Sequence, residues 1–225
     1  MATQRYSLPS DDNGAANILG KVFLDGLSQN ELNEAYNDVS KDYDQILLGS
    51  GYKAPESAAW AVTKLFPEDE RSQKVTLDIG AGTGLVADEM YKKGFRIFDA
   101  LEPSQGMLDI AKQKGRYRNY ICAALGEEPL DIPSASYDII TVVGSHGPNH
   151  IKSEALYELI RLTKSGGVVC IVTRMEHLRN LKEYKDSFFP LCDQLEKDGK
   201  WKKIACSSCP FWNTVEGVQI MYRIF

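Results

Sequence analysis

The chain has 225 residues, of which 43% are hydrophobic and 25% are charged, and its formal net charge is −5. These values predict one folded domain over residues 1–225, with residues 1–15 loose. The negative charge argues against a nucleic-acid partner, and no apolar run reaches the roughly 18 residues of a membrane span. Without an apolar secretory segment at the start, we expect a cytoplasmic protein, and we expect a monomer.

Two helices are predicted ahead of the main domain core, within residues 28–67. The first begins at Ser28, because Glu31 follows at capping-box spacing. Its apolar face repeats at helical spacing through Leu32, Tyr36, Val39 and Tyr43. The second starts near Pro55, which suits a first helical turn, and ends before Pro67. We expect these N-terminal cap helices to form a lid or an outer layer.

From residue 74 the pattern alternates between strands and helices. Strands are predicted at 75–79, 95–102, 117–123, 136–144 and 166–173, and helices at 85–93, 104–114, 154–163 and 181–196. Two further strands, separated by a turn at 213–217, are close enough to pair as a hairpin. The fold class is therefore α/β: a doubly wound, mostly parallel seven-stranded sheet that ends in an antiparallel hairpin and fills residues 74–225. Ligands of such sheets bind beyond the carboxyl ends of the strands.

Five cysteines include one C-x-x-C pair, Cys206 and Cys209. Zinc would need a second pair, and Cys122 and Cys170 lie in apolar, strand-like runs. We expect structural thiols and no metal site.

The stretch VTLDIGAGTGLVADEM (75–90) places three glycines, Gly80, Gly82 and Gly84, between a strand and a helix. Alternate glycines allow a tight turn and a close backbone approach to a ligand. The dinucleotide fingerprint G-x-G-x-x-G is matched imperfectly, because its third glycine falls on Leu85. An ordinary strand-to-helix turn is the alternative.

Two acids accompany this turn. Asp78 is an acid inside an apolar strand, where it needs hydrogen-bond partners from the backbone or from a cationic ligand group. Glu102 ends the next strand, where an acid can accept hydrogen bonds from both hydroxyls of a ribose. Met107 lies one turn into the following helix, where it can cover an adenine face or pack in the core.

Together these features resemble the class I S-adenosylmethionine-dependent methyltransferases. LDIGAGTGLVA and LEPSQGML resemble the first two motifs of that family, and YDIITVVGSHGPNHI and LTKSGGVVCIVT resemble its fourth- and fifth-strand motifs. The resemblance covers about residues 32–225 and implies S-adenosylmethionine as the cofactor. It implies cofactor-binding roles for Asp78, Gly80, Ala81, Gly82, Thr83, Gly84, Glu102, Pro103, Ser104, Met107, Ala124, Leu125, Gly144, Ser145, Tyr36 and Tyr43.

Within this set, Gly80–Gly84 would wrap the amino-acid half of the cofactor and Glu102 would hold the ribose. Ala124 and Leu125 would offer backbone contacts to the adenine. Gly144 and Ser145 would face the sulfonium. Tyr36 and Tyr43 would close over the methionine end, although packing of their helix is an equal alternative.

Methyl transfer needs close, in-line positioning, and a base only where the acceptor must lose a proton. His146 is the first candidate for a base, and Asn149 can orient an amine or hydroxyl. His150 is a second candidate, although a role in capping or packing the next helix is favoured for it, and His177 is a third, weaker candidate.

The acceptor expected from these features is a small molecule, with a protein side chain as the alternative. Amino-methyltransferases that act on nucleic acids or glutamine carry a tetrapeptide like N-P-P-[YF] after the fourth strand. This chain has GSHGPNH there instead, which argues further against nucleic acids. Two other functions remain open: a protein that binds the cofactor without turnover, and an NAD-dependent dehydrogenase. The dehydrogenase is disfavoured by Leu85 and by the terminal hairpin.

Overall fold

The computed structural model describes residues 20–126, 128–213 and 215–225, and these contain a seven-stranded sheet. Strands β1–β5 are parallel, and β7 runs antiparallel to both β5 and β6. Their order across the sheet is β3-β2-β1-β4-β5-β7-β6. The predicted doubly wound sheet with its terminal hairpin is confirmed. The strands are β1 (Val75–Ile79), β2 (Ile97–Leu101), β3 (Asn119–Ile121), β4 (Tyr137–Val143), β5 (Thr163–Arg174), β6 (Trp201–Trp212) and β7 (Val215–Ile224).

Helices cover both faces of this sheet. In chain order they are α1 (Gln29–Gly49), α2 (Ala54–Thr63), α3 (Glu68–Arg71), α4 (Leu85–Lys92), α5 (Gln105–Lys114), α6 (Leu156–Leu162), α7 (Met175–Asn180) and α8 (Phe188–Lys197), with a 3₁₀ turn at Ser153–Ala155. Helix α1 begins with the predicted capping box, because Ser28 and Glu31 each accept a hydrogen bond from the other's backbone N–H. None of the described helices is long and apolar enough to cross a membrane.

The core lies on both sides of the sheet, and β5 shows why. Val168, Cys170 and Val172 pack into one apolar cluster with residues of α2 and α4. Val169 and Ile171 point the other way and join a second cluster with residues of α6 and α8. A strand buried on both faces needs apolar residues at every position, which explains the unbroken apolar run in this part of the sequence.

The two long N-terminal helices have different positions. Helix α2 packs against α4, β5 and β6, and its alanines Ala58, Ala59 and Ala61 are buried in the core. It is thus part of the layer that covers one face of the sheet. Helix α1 packs instead against α5. The two helices that were expected to form a lid or an outer layer therefore pack at different places on the domain.

One predicted helix is wrong in its extent. Residues 181–187 form turns, and α8 begins only at Phe188. Proline removes a helical hydrogen bond except in the first turn, and Pro190 lies in the first turn of α8. The preceding turns are held by Tyr184, whose hydroxyl lies 3.0 Å from the Gly147 carbonyl and 2.8 Å from the Ile151 carbonyl and shares its one proton between them.

The hairpin turn is also shorter than predicted. Trp212 pairs with Val215, so strand β7 begins inside the predicted 213–217 turn. Irregular pairing between Pro210 and Trp212 allows the strands to meet this early. The prediction for residues 1–15 lies outside the described residues.

Candidate functional site

The glycine turn between β1 and α4 has an unusual backbone. Gly80, Gly82 and Gly84 all have positive φ angles, of 64°, 54° and 92°. Side chains are disfavoured there for two reasons: left-handed backbone strains an L-residue, and neighbours crowd two of the three positions. A Cβ at Gly80 would overlap the Ser145 hydroxyl, and one at Gly84 would lie 3.1 Å from the Tyr117 ring. A Cβ at Gly82 would meet nothing within 4 Å.

Alanine at these positions is expected to separate strain from crowding. Gly115 ends α5 at φ 63° with nothing within 4 Å, so Gly115→Ala is a matched control for backbone strain. We expect Gly82→Ala and Gly115→Ala each to lower the free energy of unfolding by about 1 kcal/mol. Gly80→Ala should cost about 2–4 kcal/mol, because overpacking against Ser145 adds to the strain. Urea unfolding measures all three, and equal losses at Gly80 and Gly115 would contradict the close approach.

Glu102 follows β2 and lies directly opposite this turn. Its carboxylate accepts hydrogen bonds from the backbone N–H groups of Gly82 and Ser104, both at 2.9 Å. The residue is 6% exposed, and burial raises the pKa of its carboxyl to about 7. An ionised carboxylate has about four acceptor positions, so two backbone bonds leave it able to accept from a ligand.

Helix α1 is tied to this region by side chains that the sequence analysis missed. Asn37 Oδ1 accepts from the Ser104 hydroxyl at 2.7 Å and from the Gly106 N–H at 2.8 Å. Ser104 in turn caps α5 by accepting from the Met107 N–H at 3.2 Å. The Thr83 hydroxyl donates to Asp44, also on α1. No motif or spacing marks Asn37 or Asp44, because their partners are 39 to 69 residues away in the chain.

These elements enclose a pocket at the carboxyl ends of β1, β2 and β4, which we call the edge pocket. Helix α1 supplies one wall through Gln29, Leu32 and Asn33. The predicted residues that line it are Tyr36, Tyr43, Gly80, Gly82, Glu102, Pro103, Met107, Ala124, Leu125, Gly144 and Ser145.

Other predicted site residues lie outside this lining: Asp78, Ala81, Thr83, Gly84, Ser104, His146 and Asn149. Asp78 is buried, and its carboxylate accepts from Tyr117 at 2.7 Å and Thr141 at 2.8 Å. Burial raises the pKa of Asp78 to about 6. Because the Tyr117 ring is what a Cβ at Gly84 would touch, Asp78 supports the turn from behind.

The three histidines occupy different environments. His146 is 4% exposed and packs edge-on against Tyr184 and Phe188, and burial lowers its pKa to about 3. His177 bonds through Nδ1 to the His146 carbonyl at 2.6 Å, and burial lowers its pKa to about 4. Asn149, which has a positive φ, donates its side-chain N–H to the Leu24 carbonyl at 2.8 Å.

His150 lines the edge pocket and hydrogen-bonds to Tyr36. Its Nδ1 lies 2.7 Å from the Pro148 carbonyl, which only accepts, so Nδ1 carries the proton. Burial lowers the pKa of His150, so the neutral ring is favoured and Nε2 accepts from the Tyr36 hydroxyl at 2.7 Å. His150 was a candidate base for which capping or packing of a helix was favoured, and its pairing with Tyr36 was not predicted.

The described residues contain no cluster of three or more His, Cys, Asp or Glu side chains arranged to hold a metal ion. Five cysteines are free, and Cys206 is exposed whereas Cys209 is buried.

Known proteins resemble this chain in sequence and fold. A family model described as a methyltransferase domain matches residues 77–171, which include the glycine turn and Glu102. Over 167 residues the chain is 35% identical to human methyltransferase-like protein 27, covering 74% of this chain and 66% of that protein. Over 151 residues it is 29% identical to demethylmenaquinone methyltransferase of Thermobifida fusca, covering 62% of this chain and 63% of that protein. The chain thus spans slightly under two thirds of the length of both relatives.

A solved structure shares the fold. The TehB-like SAM-dependent methyltransferase from Corynebacterium glutamicum superposes with a TM-score of 0.63 at 14% identity, over 85% of this chain and 99% of that chain. The matched domain and the relatives are methyltransferases. This assignment agrees with the sheet order, with the glycine turn after β1 and with the acid after β2. Residues 77–171 therefore form a methyltransferase domain, and the chain is related to methyltransferases and shares the fold of an S-adenosylmethionine-dependent one.

Proposed function

We propose that this protein binds S-adenosylmethionine in the edge pocket and transfers its methyl group to a small-molecule acceptor. The observation that carries the proposal is the Glu102 carboxylate, which is buried beside the glycine turn and bound by two backbone N–H groups. The vicinal hydroxyls of a ribose would donate to its remaining acceptor positions. The remaining acceptor positions of Glu102 therefore fit the ribose of this cofactor.

The rest of the pocket supports the same placement. Pro103 and Met107 offer apolar contacts for an adenine ring, and Ala124 and Leu125 add a third side. Gly80 and Gly82 allow the backbone to approach the amino-acid half closely. Asp78, Ala81, Thr83, Gly84 and Ser104 would act by shaping the turn and the start of α5.

Held by Glu102 and the glycine turn, the cofactor would supply the methyl group on its positively charged sulfur to a lone pair of the acceptor, with the electron pair of the broken carbon–sulfur bond left on sulfur. The chain's part is to hold both partners in line and exclude water. Gly144 and Ser145 would leave room at the methyl, and Tyr36 and Tyr43 would close over it.

Any proton that leaves the acceptor needs a base. We propose that it passes to Nε2 of His150 through the Tyr36 hydroxyl, because that hydroxyl already donates to this unprotonated nitrogen at the pocket wall. His146, with its low pKa, would contact the acceptor and is a weak base at neutral pH. Asn149 would act on the local backbone through its bond to Leu24.

The pKa of Glu102 predicts a pH-dependent affinity. Ribose hydroxyls favour the ionised form of Glu102. Below about pH 7 the carboxyl must therefore lose its proton before the ligand binds. We expect the affinity for 5′-methylthioadenosine, which has the ribose and adenine but no amino-acid group, to fall by up to tenfold per pH unit from about pH 7 to pH 5. Titration calorimetry across this range measures the effect.

Glu102→Gln should bind this probe weakly and without that slope. A wild-type affinity that does not change between pH 5 and 7 would contradict the assigned contact. The same raised pKa has a consequence for folding, because the folded protein holds a proton that the unfolded chain releases above about 4.5. The contribution of Glu102 to stability therefore falls as the pH rises from about 4.5 to about 7.

A small-molecule acceptor is favoured over a protein side chain because the proposed methyl position, at Gly144 and Ser145, lies within the lining of the edge pocket. One relative is also named for a small acceptor, demethylmenaquinone. The net charge of −5 disfavours nucleic acids. Location in the cytoplasm and a monomeric state stay predictions.

A radiolabel experiment distinguishes the acceptor classes. The purified protein is incubated with methyl-labelled S-adenosylmethionine and an extract separated into protein and low-molecular-weight fractions. We expect label in the low-molecular-weight fraction and none with Glu102→Ala. Label in the protein fraction would support a protein methyltransferase, and label in neither fraction would support a protein that binds the cofactor without turnover.

A further inference from the structure

A surface groove lies between helix α2 and the hairpin of β6 and β7, and we call it the hairpin groove. Among the described residues, none that lines this groove also lines the edge pocket, so the two are separate spaces. The volume of the groove is about 580 Å³, within the range of small-molecule sites. Its lining consists of Lys53, Glu56, Ser57, Trp60, Lys93, Ser208, Cys209, Pro210 and Gln219.

One wall of the hairpin groove contains a buried amide. Gln219 is 5% exposed and lies on β7, opposite Val172 of β5 and Ser207 of β6. Its side chain lines the groove and makes no hydrogen bond with any residue that the structure describes. Buried polar side chains in native proteins are almost always hydrogen-bonded. The donor and acceptor atoms of this amide are therefore available to a ligand in the groove.

The other walls supply an aromatic ring and positive charge. Trp60 is 53% exposed, and Lys64 Nζ lies 3.2 Å from the centre of its ring. Lys53 pairs with Glu56 at 3.6 Å, whereas Lys93 makes no ion pair within the described part of the chain. Three lysines and one glutamate therefore leave a local positive charge, although the net charge of the chain is −5. Such a local charge attracts an anionic ligand.

These features match the parts of an adenine nucleotide. A glutamine carboxamide pairs with adenine through two hydrogen bonds, because it donates to N7 and accepts from the N6 amino group. An aromatic side chain stacks on the face of a base. Lysine ammonium groups bind phosphate through charge-assisted hydrogen bonds. The buried amide, the exposed ring and the cations would thus each have a partner on one small molecule.

We propose that the hairpin groove is a binding site for a free adenine nucleotide. The base pairs with Gln219 and stacks on Trp60, and the phosphate contacts Lys93. The site goes beyond the proposed methyltransferase function and does not depend on it, because none of these three residues lines the edge pocket.

The test is titration calorimetry with adenosine 5′-monophosphate and with adenosine. The protein is saturated with S-adenosylhomocysteine, which keeps both probes out of the edge pocket. We expect the nucleotide to bind about tenfold more tightly than adenosine, which lacks the phosphate. Lys93→Gln should remove most of this difference by weakening the nucleotide and leaving adenosine unchanged. The matched control is Lys92→Gln, which removes a neighbouring exposed lysine outside the groove lining and should bind both probes as the wild type does.

Two further variants test the contacts to the base. Gln219→Met and Trp60→Ala should each weaken both probes about tenfold, whereas Tyr157→Ala, which removes an exposed ring from α6, should not. Gln219→Met keeps the size of the side chain and removes an amide that has no partner. Its melting temperature should therefore equal or exceed that of the wild type. A lower melting temperature with unchanged binding would instead assign Gln219 a structural role and overturn the proposal.

Uridine 5′-monophosphate tests the choice of base and should bind at least tenfold more weakly than the adenine nucleotide. Equal affinity for the two nucleotides, or no binding of the adenine nucleotide, would overturn the proposal. So would binding that survives unchanged in Lys93→Gln, Trp60→Ala and Gln219→Met. Failure of S-adenosylhomocysteine to bind would count against the proposed function alone, because the three groove variants still show where the nucleotide binds.

Discussion

Glu102→Ala is expected to weaken the binding of S-adenosylhomocysteine by about 100-fold. A hydrogen bond to an ionised group contributes about 1.5 kcal/mol or more, so loss of two ribose contacts amounts to about 3 kcal/mol. The variant also leaves the N–H groups of Gly82 and Ser104 without their acceptor, which loosens the turn. Titration calorimetry on the folded variant gives the affinity directly.

The matched control is Asp109→Ala, which removes an exposed acid from α5. It should bind the ligand as the wild type does, because Asp109 does not line the edge pocket. Circular dichroism and the melting temperature establish that both variants are folded. A loss of less than about threefold in folded Glu102→Ala would exclude Glu102 as the ribose-binding acid.

Binding is also expected to protect helix α1 from hydrogen exchange. The helix forms one wall of the pocket through Tyr36 and Tyr43, so the ligand binds fully only when α1 is docked. At a ligand concentration 100 times Kd, opening of a docked element is suppressed about 100-fold, which corresponds to about 2.7 kcal/mol. Amides between residues 31 and 52 should therefore exchange about 100-fold more slowly with S-adenosylhomocysteine bound.

Asn37→Ala provides the comparison, because it removes the acceptor that joins α1 to Ser104 and Gly106. Exchange in α1 should be faster in this variant without ligand, whereas exchange in β5 should match the wild type. Unchanged protection of residues 31–52 on ligand binding would show that α1 is not coupled to the pocket.

The sequence patterns that predicted the fold are those with a local physical cause. Residues 75–79 were predicted as a strand with the observed bounds, because five residues of strand pattern precede a glycine turn. The buried strands and the hairpin followed from apolar runs and their spacing. The predicted helix 181–196 started too early. Proline is tolerated in the first turn of a helix, so Pro190 indicates a start close to Phe188.

Side-chain partners across the fold could not be predicted in this way. Asn37 and Asp44 stabilise the pocket through contacts to α5 and the glycine turn, and nothing in the local sequence of α1 indicates them. The hydrogen bond between His150 and Tyr36 joins residues that are 114 positions apart in the sequence, and it depends on how α1 packs against the sheet domain.

The most direct test of the central claim is titration calorimetry of the purified chain with S-adenosylmethionine, S-adenosylhomocysteine and, as a control, NAD. Our account predicts micromolar binding of the first two and no binding of NAD. Binding of NAD, or no binding of either S-adenosyl compound, would mean that the glycine turn and Glu102 serve another ligand or only the fold, and it would contradict the proposed function.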